Sequence, residues 1–108
     1  MNVKQFAEQF GYQIVCMPDE TREITGGYAG DLLSWVMGRL TADYAWVTIM
    51  SNINIVAVAA LADPACIILS EWVEPDSDVV SRAVQQGINI LRTDRDTFSV
   101  CLDLSAAV

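Results

Sequence analysis

The stretch EITGGYAGDLLS, residues 23–34, decides how this chain divides into structural elements. Its glycines offer backbone N–H groups without bulky side chains, and glycine tolerates positive φ. Asp31 stands where its carboxylate can accept hydrogen bonds from the first free N–H groups of a following helix. The stretch therefore predicts a tight glycine-rich turn and then a helix at Asp31–Leu40. Such a turn either holds a small anion or only connects two elements.

Strand and helix patterns alternate on both sides of this stretch. The predicted strands are Tyr12–Cys16, Tyr44–Met50, Ala65–Leu69 and Ile88–Leu91, with Arg22–Ile24 as a short edge segment. The predicted helices are a first one between Asn2 and Gly11, then Asp31–Leu40, Ile53–Ala62 capped by Asn52, Pro75–Gln86, and a last one capped by Thr93 or Asp94. The β-branched residues of Ile53–Ala62 also fit a strand, but Ala57–Leu61 and the stop at Asp63-Pro64 favour a helix. We expect Phe98, Cys101 and Leu102 to form the apolar side of the last helix. Repeated strand–helix units predict one α/β domain over residues 1–108, with a mostly parallel sheet of four to five strands and helices on both faces.

The composition limits the classes of partner. The chain has 108 residues, of which 53% are hydrophobic and 19% charged, and its formal net charge is −8. Its six basic residues stand singly, so no cluster can neutralise phosphates, which argues against nucleic acid and anionic membranes as partners. The apolar excess, concentrated in Ile53–Leu69 and around Trp35, predicts a subunit interface and therefore a homodimer.

The cysteines indicate a reducing compartment. Cys16, Cys66 and Cys101 all sit in apolar runs, no C-x-x-C pair occurs, and histidine is absent. We expect three buried small hydrophobes and neither a metal nor a cofactor. The N-terminus lacks a basic-then-apolar signal, and Asp63-Pro64 divides the most apolar run into pieces too short for a bilayer. The sequence therefore predicts a cytoplasmic protein.

The residues that catalysis commonly requires are missing. The absence of histidine removes the commonest general base, and the phosphate-binding pattern G-x-x-x-x-G-K-[ST] does not occur. The acidic segment Glu71–Asp78 either opens a helix or binds a cation, and the helix-opening interpretation is favoured. The sequence predicts no enzymatic activity.

Polar residues gather where the predicted strands end, and such ends form the usual ligand crevice of a parallel α/β sheet. The candidate ligand-binding residues are Thr25, Gly26, Gly27, Asp31, Ser51, Asn52, Ser70 and Thr93. Ser51, Asn52 and Thr93 are also ordinary helix caps, so both interpretations stay open. A small anionic ligand is expected beside Thr25-Gly26-Gly27 and Ser51-Asn52, if one is bound.

The tryptophans Trp35, Trp46 and Trp72 are candidates for an interface. Trp72 follows a buried strand inside an acidic loop, and Trp35 lies off the apolar stripe of its helix. Exposed aromatic side chains often anchor interfaces, whereas tryptophans at the rim of a core are equally common. The sequence leaves these two roles open.

Three segments carry a family resemblance. The block ITGGYAGDLLS (24–34), then Trp46-Val47-Thr48, then Asn52–Leu61 resemble the DRTGG domain family and the related N-terminal, non-catalytic domain of HPr kinase/phosphorylase. The similarity extends from about Tyr12 to Ala107 and includes Ala65–Leu69, Gly87–Leu91 and Thr93. It implies a three-layer α/β/α domain.

The resemblance also implies a kind of role. Such domains occur alone, beside CBS domains, or in pyrophosphatase and acetyl-transfer proteins, and are taken to be regulatory or ligand-sensing. Short members similar to this chain accompany iron-only hydrogenase and redox systems, which implies an alternative role as an interaction subunit without its own ligand. The sequence departs from the family after the fourth predicted strand. Members commonly carry Thr-Gly-Gly or Thr-Gly-Asn there, and this chain has Ser70-Glu71-Trp72.

Overall fold

Apolar runs and capping residues divide residues 1–108, all described by a computed structural model, into five strands and five helices. The strands are β1 (Gln13–Cys16), β2 (Gly26–Ala29), β3 (Tyr44–Thr48), β4 (Cys66–Leu69) and β5 (Ile90–Arg92). The helices are α1 (Val3–Phe10), α2 (Leu33–Arg39), α3 (Asn54–Ala62), α4 (Ser77–Gln86) and α5 (Thr97–Ala107). None of these helices has the length and apolarity needed to cross a membrane.

The strands form one sheet in the order β1-β5-β4-β3-β2. Strands β2 to β5 run parallel, because a crossover helix joins each one to the next, and β1 pairs antiparallel with β5. All four residues of the central strand β4 are buried, as a strand covered on both faces requires. The predicted mostly parallel sheet is confirmed.

Helices cover both faces of this sheet and enclose two apolar cores. On one face α2, α3 and α4 pack over Trp46 and alternate residues of the strands. On the opposite face α1 and α5 pack over Ala45, Val47 and their neighbours. Trp46 is fully buried, and its indole N–H donates to the Gly30 carbonyl oxygen at 2.9 Å. The three-layer α/β/α architecture is confirmed.

The glycine-rich stretch is a strand, so the predicted turn is wrong. Gly26–Ala29 pairs in parallel register with Tyr44–Val47 and forms one edge of the sheet. The glycines serve close packing here. A Cβ atom on Gly26 would lie 2.7 Å from the Tyr44 ring, and one on Gly27 would lie 3.1 Å from Leu104. The predicted edge segment Arg22–Ile24 is reduced to a single bridge between Asn2 and Glu23.

Two predicted helix starts are also wrong. Helix α2 begins at Leu33, after Leu32, and Asp31 does not cap it. Helix α5 begins at Thr97, and its cap is Asp96, whose carboxylate accepts a hydrogen bond from the Ser99 N–H at 2.7 Å. The helix cannot start earlier because the backbone of Thr93 and Arg95 is bonded to β4 and to the loop after it.

Apolar residues divide between core and surface differently from the prediction. Val100 and Leu104 are the buried residues of α5, whereas Phe98 and Leu102 are mostly exposed. The apolar run Ile53–Leu69 lies largely inside the two cores rather than on a subunit interface. Exposed apolar side chains are spread over the surface, including Trp35 and Met37 on α2, Leu61 on α3, and Phe98 and Leu102 on α5.

Candidate functional site

The sheet separates the predicted ligand residues into two groups. Asp31, Ser51, Ser70 and Thr93 follow the carboxyl ends of β2 to β5, and Asn52 lies beside Ser51. Thr25 and Gly26 lie at the amino end of β2, where Gly26 pairs with Tyr44, the first residue of β3. The strand between Gly26 and Gly30 spans about 13 Å at 3.3 Å per residue. The predicted position of Thr25-Gly26 beside Ser51-Asn52 is therefore wrong.

Arg22 covers the end of the sheet at which the parallel strands β2 and β3 begin. Its guanidinium donates to the carboxylate oxygens of Asp43 and Asp63, both at 2.8 Å, and to the Asp63 carbonyl oxygen at 2.7 Å. Thr25 is held by the same region, because its N–H and hydroxyl both donate to the Asp43 carbonyl oxygen. These paired carboxylates raise the pKa of Arg22 above its usual value. The Thr25-Gly26 end is thus occupied by the protein's own ion pairs.

Asp31 follows the carboxyl end of β2 and forms hydrogen bonds to the chain at the end of β3. Its Oδ1 accepts hydrogen bonds from the Thr48 hydroxyl at 2.7 Å and from the Ile49 N–H at 3.0 Å. The Thr48 oxygen in turn accepts from the Met50 N–H at 3.2 Å. The carboxylate therefore fixes the chain as it leaves β3 and sets the course of the loop toward Ser51.

The loop after β4 bonds to the loop after β5. The Glu71 N–H donates to the Arg95 carbonyl oxygen at 2.9 Å, and the Trp72 N–H donates to the Thr93 carbonyl oxygen at 2.8 Å. The hydroxyls of Ser70 and Thr97 are hydrogen-bonded at 2.8 Å. These groups are satisfied within the protein, and no buried side-chain nitrogen or oxygen anywhere lacks a partner.

Two bulky residues in this loop adopt a conformation that favours glycine. Glu71 has φ of 60° and Trp72 has φ of 58°. In the Thr-Gly-Gly or Thr-Gly-Asn pattern of the resemblance, glycine stands at the position of Glu71, and glycine or asparagine at that of Trp72. The Arg92 guanidinium lies 3.8 Å from the Trp72 ring centre and donates to the carbonyl oxygens of Trp72 and Val73. The cation–π stacking holds the tryptophan against the sheet edge despite the backbone strain.

Ser51 and Asn52 lead into α3. The Ser51 carbonyl oxygen accepts from the Asp76 N–H at 2.9 Å, and the Asn52 side chain accepts from the Asn54 N–H at 2.9 Å. The predicted cap at Asn52 is wrong by one residue, because α3 begins at Asn54 and Ile53 is the capping residue. Asn52 supports the first turn from one residue further out.

Three open surface clefts lie around the sheet. The first, about 250 Å³, runs between α3 and α4 and is bordered by Ile53, Asn54, Arg82 and Gln86. The second, about 240 Å³, lies between Gly27–Ala29 of β2 and helix α5. The third, about 300 Å³, lies between β1 and α4 near Glu74 and Arg92. Arg82 makes no salt bridge. The sequence pattern did not single it out, since its position depends on how α4 packs on α3.

The cysteines are poor nucleophiles in this environment. Burial raises the pKa of Cys16 and Cys101, and it raises the pKa of Cys66 to about 12. A thiol reacts as a nucleophile in its thiolate form, which is rare at neutral pH at such values. No group of three or more cysteine, aspartate or glutamate side chains is placed to hold a metal ion.

These features define a three-layer α/β domain in which the polar groups at both ends of the parallel strands are hydrogen-bonded within the protein. The chain belongs to the DRTGG domain family, whose model matches residues 29–107. A solved structure that matches it in fold contains the CBS and DRTGG domains of the regulatory region of the Clostridium perfringens pyrophosphatase, complexed with the activator diadenosine tetraphosphate. The TM-score is 0.74 at 9% sequence identity, and the match covers 98% of this chain and 46% of that one. Among curated proteins, none matches this sequence significantly.

Proposed function

We propose that this chain is a non-catalytic, homodimeric regulatory domain of the cytoplasm that senses a small anionic ligand. The observation that carries the proposal is its membership of the DRTGG family over residues 29–107. The fold is shared with the regulatory region of a pyrophosphatase. The chain spans less than half of that structure's length, so the module is proposed to act on a partner chain or on a partner domain.

The chemistry of the side chains supports a non-catalytic role. The cysteine thiols stay protonated at neutral pH, because burial raises their pKa values. The polar groups where the parallel strands end hold one another in place, as the hydrogen bonds between Asp31 and Thr48 and between Ser70 and Thr97 illustrate. Groups engaged in this way are suited to fixing loops rather than to transferring protons.

We place the proposed ligand at Ser51-Asn52 and in the adjoining cleft between α3 and α4. Arg82 supplies an unpaired positive charge at this cleft, and Asn54 and Gln86 supply amide groups. Asp31, Ser70 and Thr93 are proposed to support this surface by fixing the loops around it. The net charge of −8 opposes anions at long range, so attraction must come from these local groups.

Thermal unfolding with nucleotide probes tests this proposal. Diadenosine tetraphosphate, ATP, AMP and acetyl phosphate are added separately, and a bound probe at 100 times its Kd should stabilise the fold by about 2.7 kcal/mol. The Arg82→Gln variant should lose the shift in Tm. Lys4→Gln, on the opposite face of the sheet, is the matched control and should keep it. An unchanged Tm with every probe would contradict the ligand-sensing proposal.

A second candidate function is that of an interaction subunit in a redox or iron-only hydrogenase system, without a ligand of its own. Phe98 and Leu102, one turn apart on α5, are 73% and 53% exposed, and exposed aromatic residues commonly anchor interfaces. Calorimetric titration with a purified hydrogenase subunit tests this candidate. Phe98→Ser should weaken binding, and equal affinity of wild type and variant would contradict a role for this face.

A further inference from the structure

The two edges of the sheet differ in how they are protected from pairing. The edge strand β1 contains a register shift between Ile14 and Cys16 and is followed shortly by Pro18. Bulges and prolines of this kind discourage pairing with another chain. The edge strand β2 pairs regularly with β3 at all four of its residues, and it carries none of these features. Its outer side has no partner strand.

Strand β2 itself carries no charged side chain. No charged residue occurs from Ile24 through Gly30, in a chain whose net charge is −8. The cleft beside the strand is lined by Gly27 and Ala29 of β2 and by Cys101, Ser105 and Val108 at the end of α5. We call this combination of the β2 edge and the adjoining cleft the β2–α5 surface. This surface combines the backbone N–H and C=O groups on the outer side of β2, which face no partner strand, with an apolar groove.

We propose that the β2–α5 surface binds the same surface of a second copy of this chain. The two β2 strands would pair antiparallel about a two-fold axis and join two five-stranded sheets into one of ten strands. Antiparallel pairing of identical edges is self-complementary, as a two-fold dimer requires. The inference rests on the homodimer of the proposed function and assigns it a surface.

The distribution of charge favours a second copy of this chain, rather than a basic partner, as the occupant of this surface. Two chains of net charge −8 repel unless their contact keeps acidic side chains away, and the neutral stretch between Glu23 and Asp31 does so. A basic partner would instead be drawn to carboxylates, and the groove offers none. A stable interface commonly buries about 800 Å² on each partner, more than a four-residue strand edge supplies. The groove along α5 must therefore contribute to the contact.

Sedimentation equilibrium of wild type and charged variants tests the surface. Ala29→Lys places an ammonium on the exposed edge of β2, and Ser105→Arg places a guanidinium on the α5 side without touching the sheet. Each should raise the dimer dissociation constant by about 100-fold or more, because every copy would carry an unpaired charge into the contact. Gln13→Lys, on the exposed edge strand β1, is the matched control and should stay dimeric.

The possible results distinguish failure of the proposed surface from failure of the proposed homodimer. A wild-type protein that is monomeric at tens of micromolar would overturn both the homodimer and the surface. A dimeric wild type whose Ala29→Lys and Ser105→Arg variants associate equally well would overturn the surface alone. Circular dichroism and Tm establish that each variant is folded, and the variant on α5 decides the matter if the strand variant unfolds.

Discussion

At the scale of single residues, backbone conformation explains the departure from the family pattern. Glu71 and Trp72 occupy the left-handed region, where side chains are disfavoured by about 1–2 kcal/mol per residue. Their N–H groups are bonded to the loop after β5, which keeps both residues in this conformation. Glycine at these positions would relieve strain, which gives the Thr-Gly-Gly pattern of the family a structural reason.

Replacing Glu71 with glycine should stabilise the fold. Glu71 is exposed and its carboxylate has no partner, so removal of the side chain relieves strain of about 1 kcal/mol without loss of a contact. Chemical denaturation measures the change in the free energy of unfolding. Glu8→Gly in α1 is the control, and it should destabilise by about 1 kcal/mol because it lies in an exposed helix interior. Destabilisation by Glu71→Gly would contradict the strain argument.

At the scale of elements, periodicity predicted most segments, and long-range contacts decided the rest. The sequence identified α1, β3, α3, β4 and α4 from their apolar patterns and flanking residues, and the structure confirms them. Strand β2 was missed because Gly26-Gly27 has no β-branched or aromatic side chain, and pairing with β3 creates the strand. Asp31 was assigned to a helix cap because its partner Thr48 lies 17 residues away and no local pattern indicates it.

The same distance limited prediction of the candidate site. The carboxyl-end positions of Ser51, Ser70 and Thr93 follow from the predicted strands, although β3 ends at Thr48 rather than at Met50 and β5 is Ile90–Arg92 rather than Ile88–Leu91. Thr25 and Gly26 were placed at the wrong end because the strand they enter was interpreted as a turn. Arg82 and Ser105 belong to clefts that exist only after helices pack, so a single sequence holds no local signal for them.

A double-mutant cycle tests the anchoring role of Asp31. Asp31→Ala and Thr48→Val should each reduce the free energy of unfolding by about 1–2 kcal/mol, since each breaks a hydrogen bond to a charged group. The double variant should cost less than the sum, because both changes remove the same interaction. Strict additivity would show that the two side chains act independently. Asp31→Asn retains an acceptor oxygen and should be milder than Asp31→Ala.

At the scale of the whole molecule, burial of the Cys66 thiol and the Tyr12 hydroxyl makes the free energy of unfolding depend on pH in the alkaline range. Burial raises the pKa of Cys66 from 9.0 to about 12, and burial together with a hydrogen bond to Asp103 raises the pKa of Tyr12. The unfolded chain therefore loses these protons at lower pH than the folded chain does. Stability is complete below the unfolded pKa values and decreases as pH rises above them.

The free energy of unfolding should decrease above about pH 9 by about 1.4 kcal/mol per pH unit for Cys66 alone. Urea denaturation at a series of alkaline pH values measures this slope. Cys66→Ala lowers stability at neutral pH because it leaves a cavity, yet its slope above pH 9 should be smaller than that of the wild type. Equal slopes for the two proteins would contradict the assignment to this thiol.

We propose that this regulatory domain acts as a dimer through the β2–α5 surface. Amide hydrogen exchange of the wild-type protein at two concentrations, on either side of the dimer dissociation constant, tests it most directly. A dimer through this surface should slow exchange at the higher concentration in residues 26–30 and at the end of α5, and should leave β1 unchanged. Protection that rises at β1 or α3 instead, or exchange that is identical at every concentration, would contradict it.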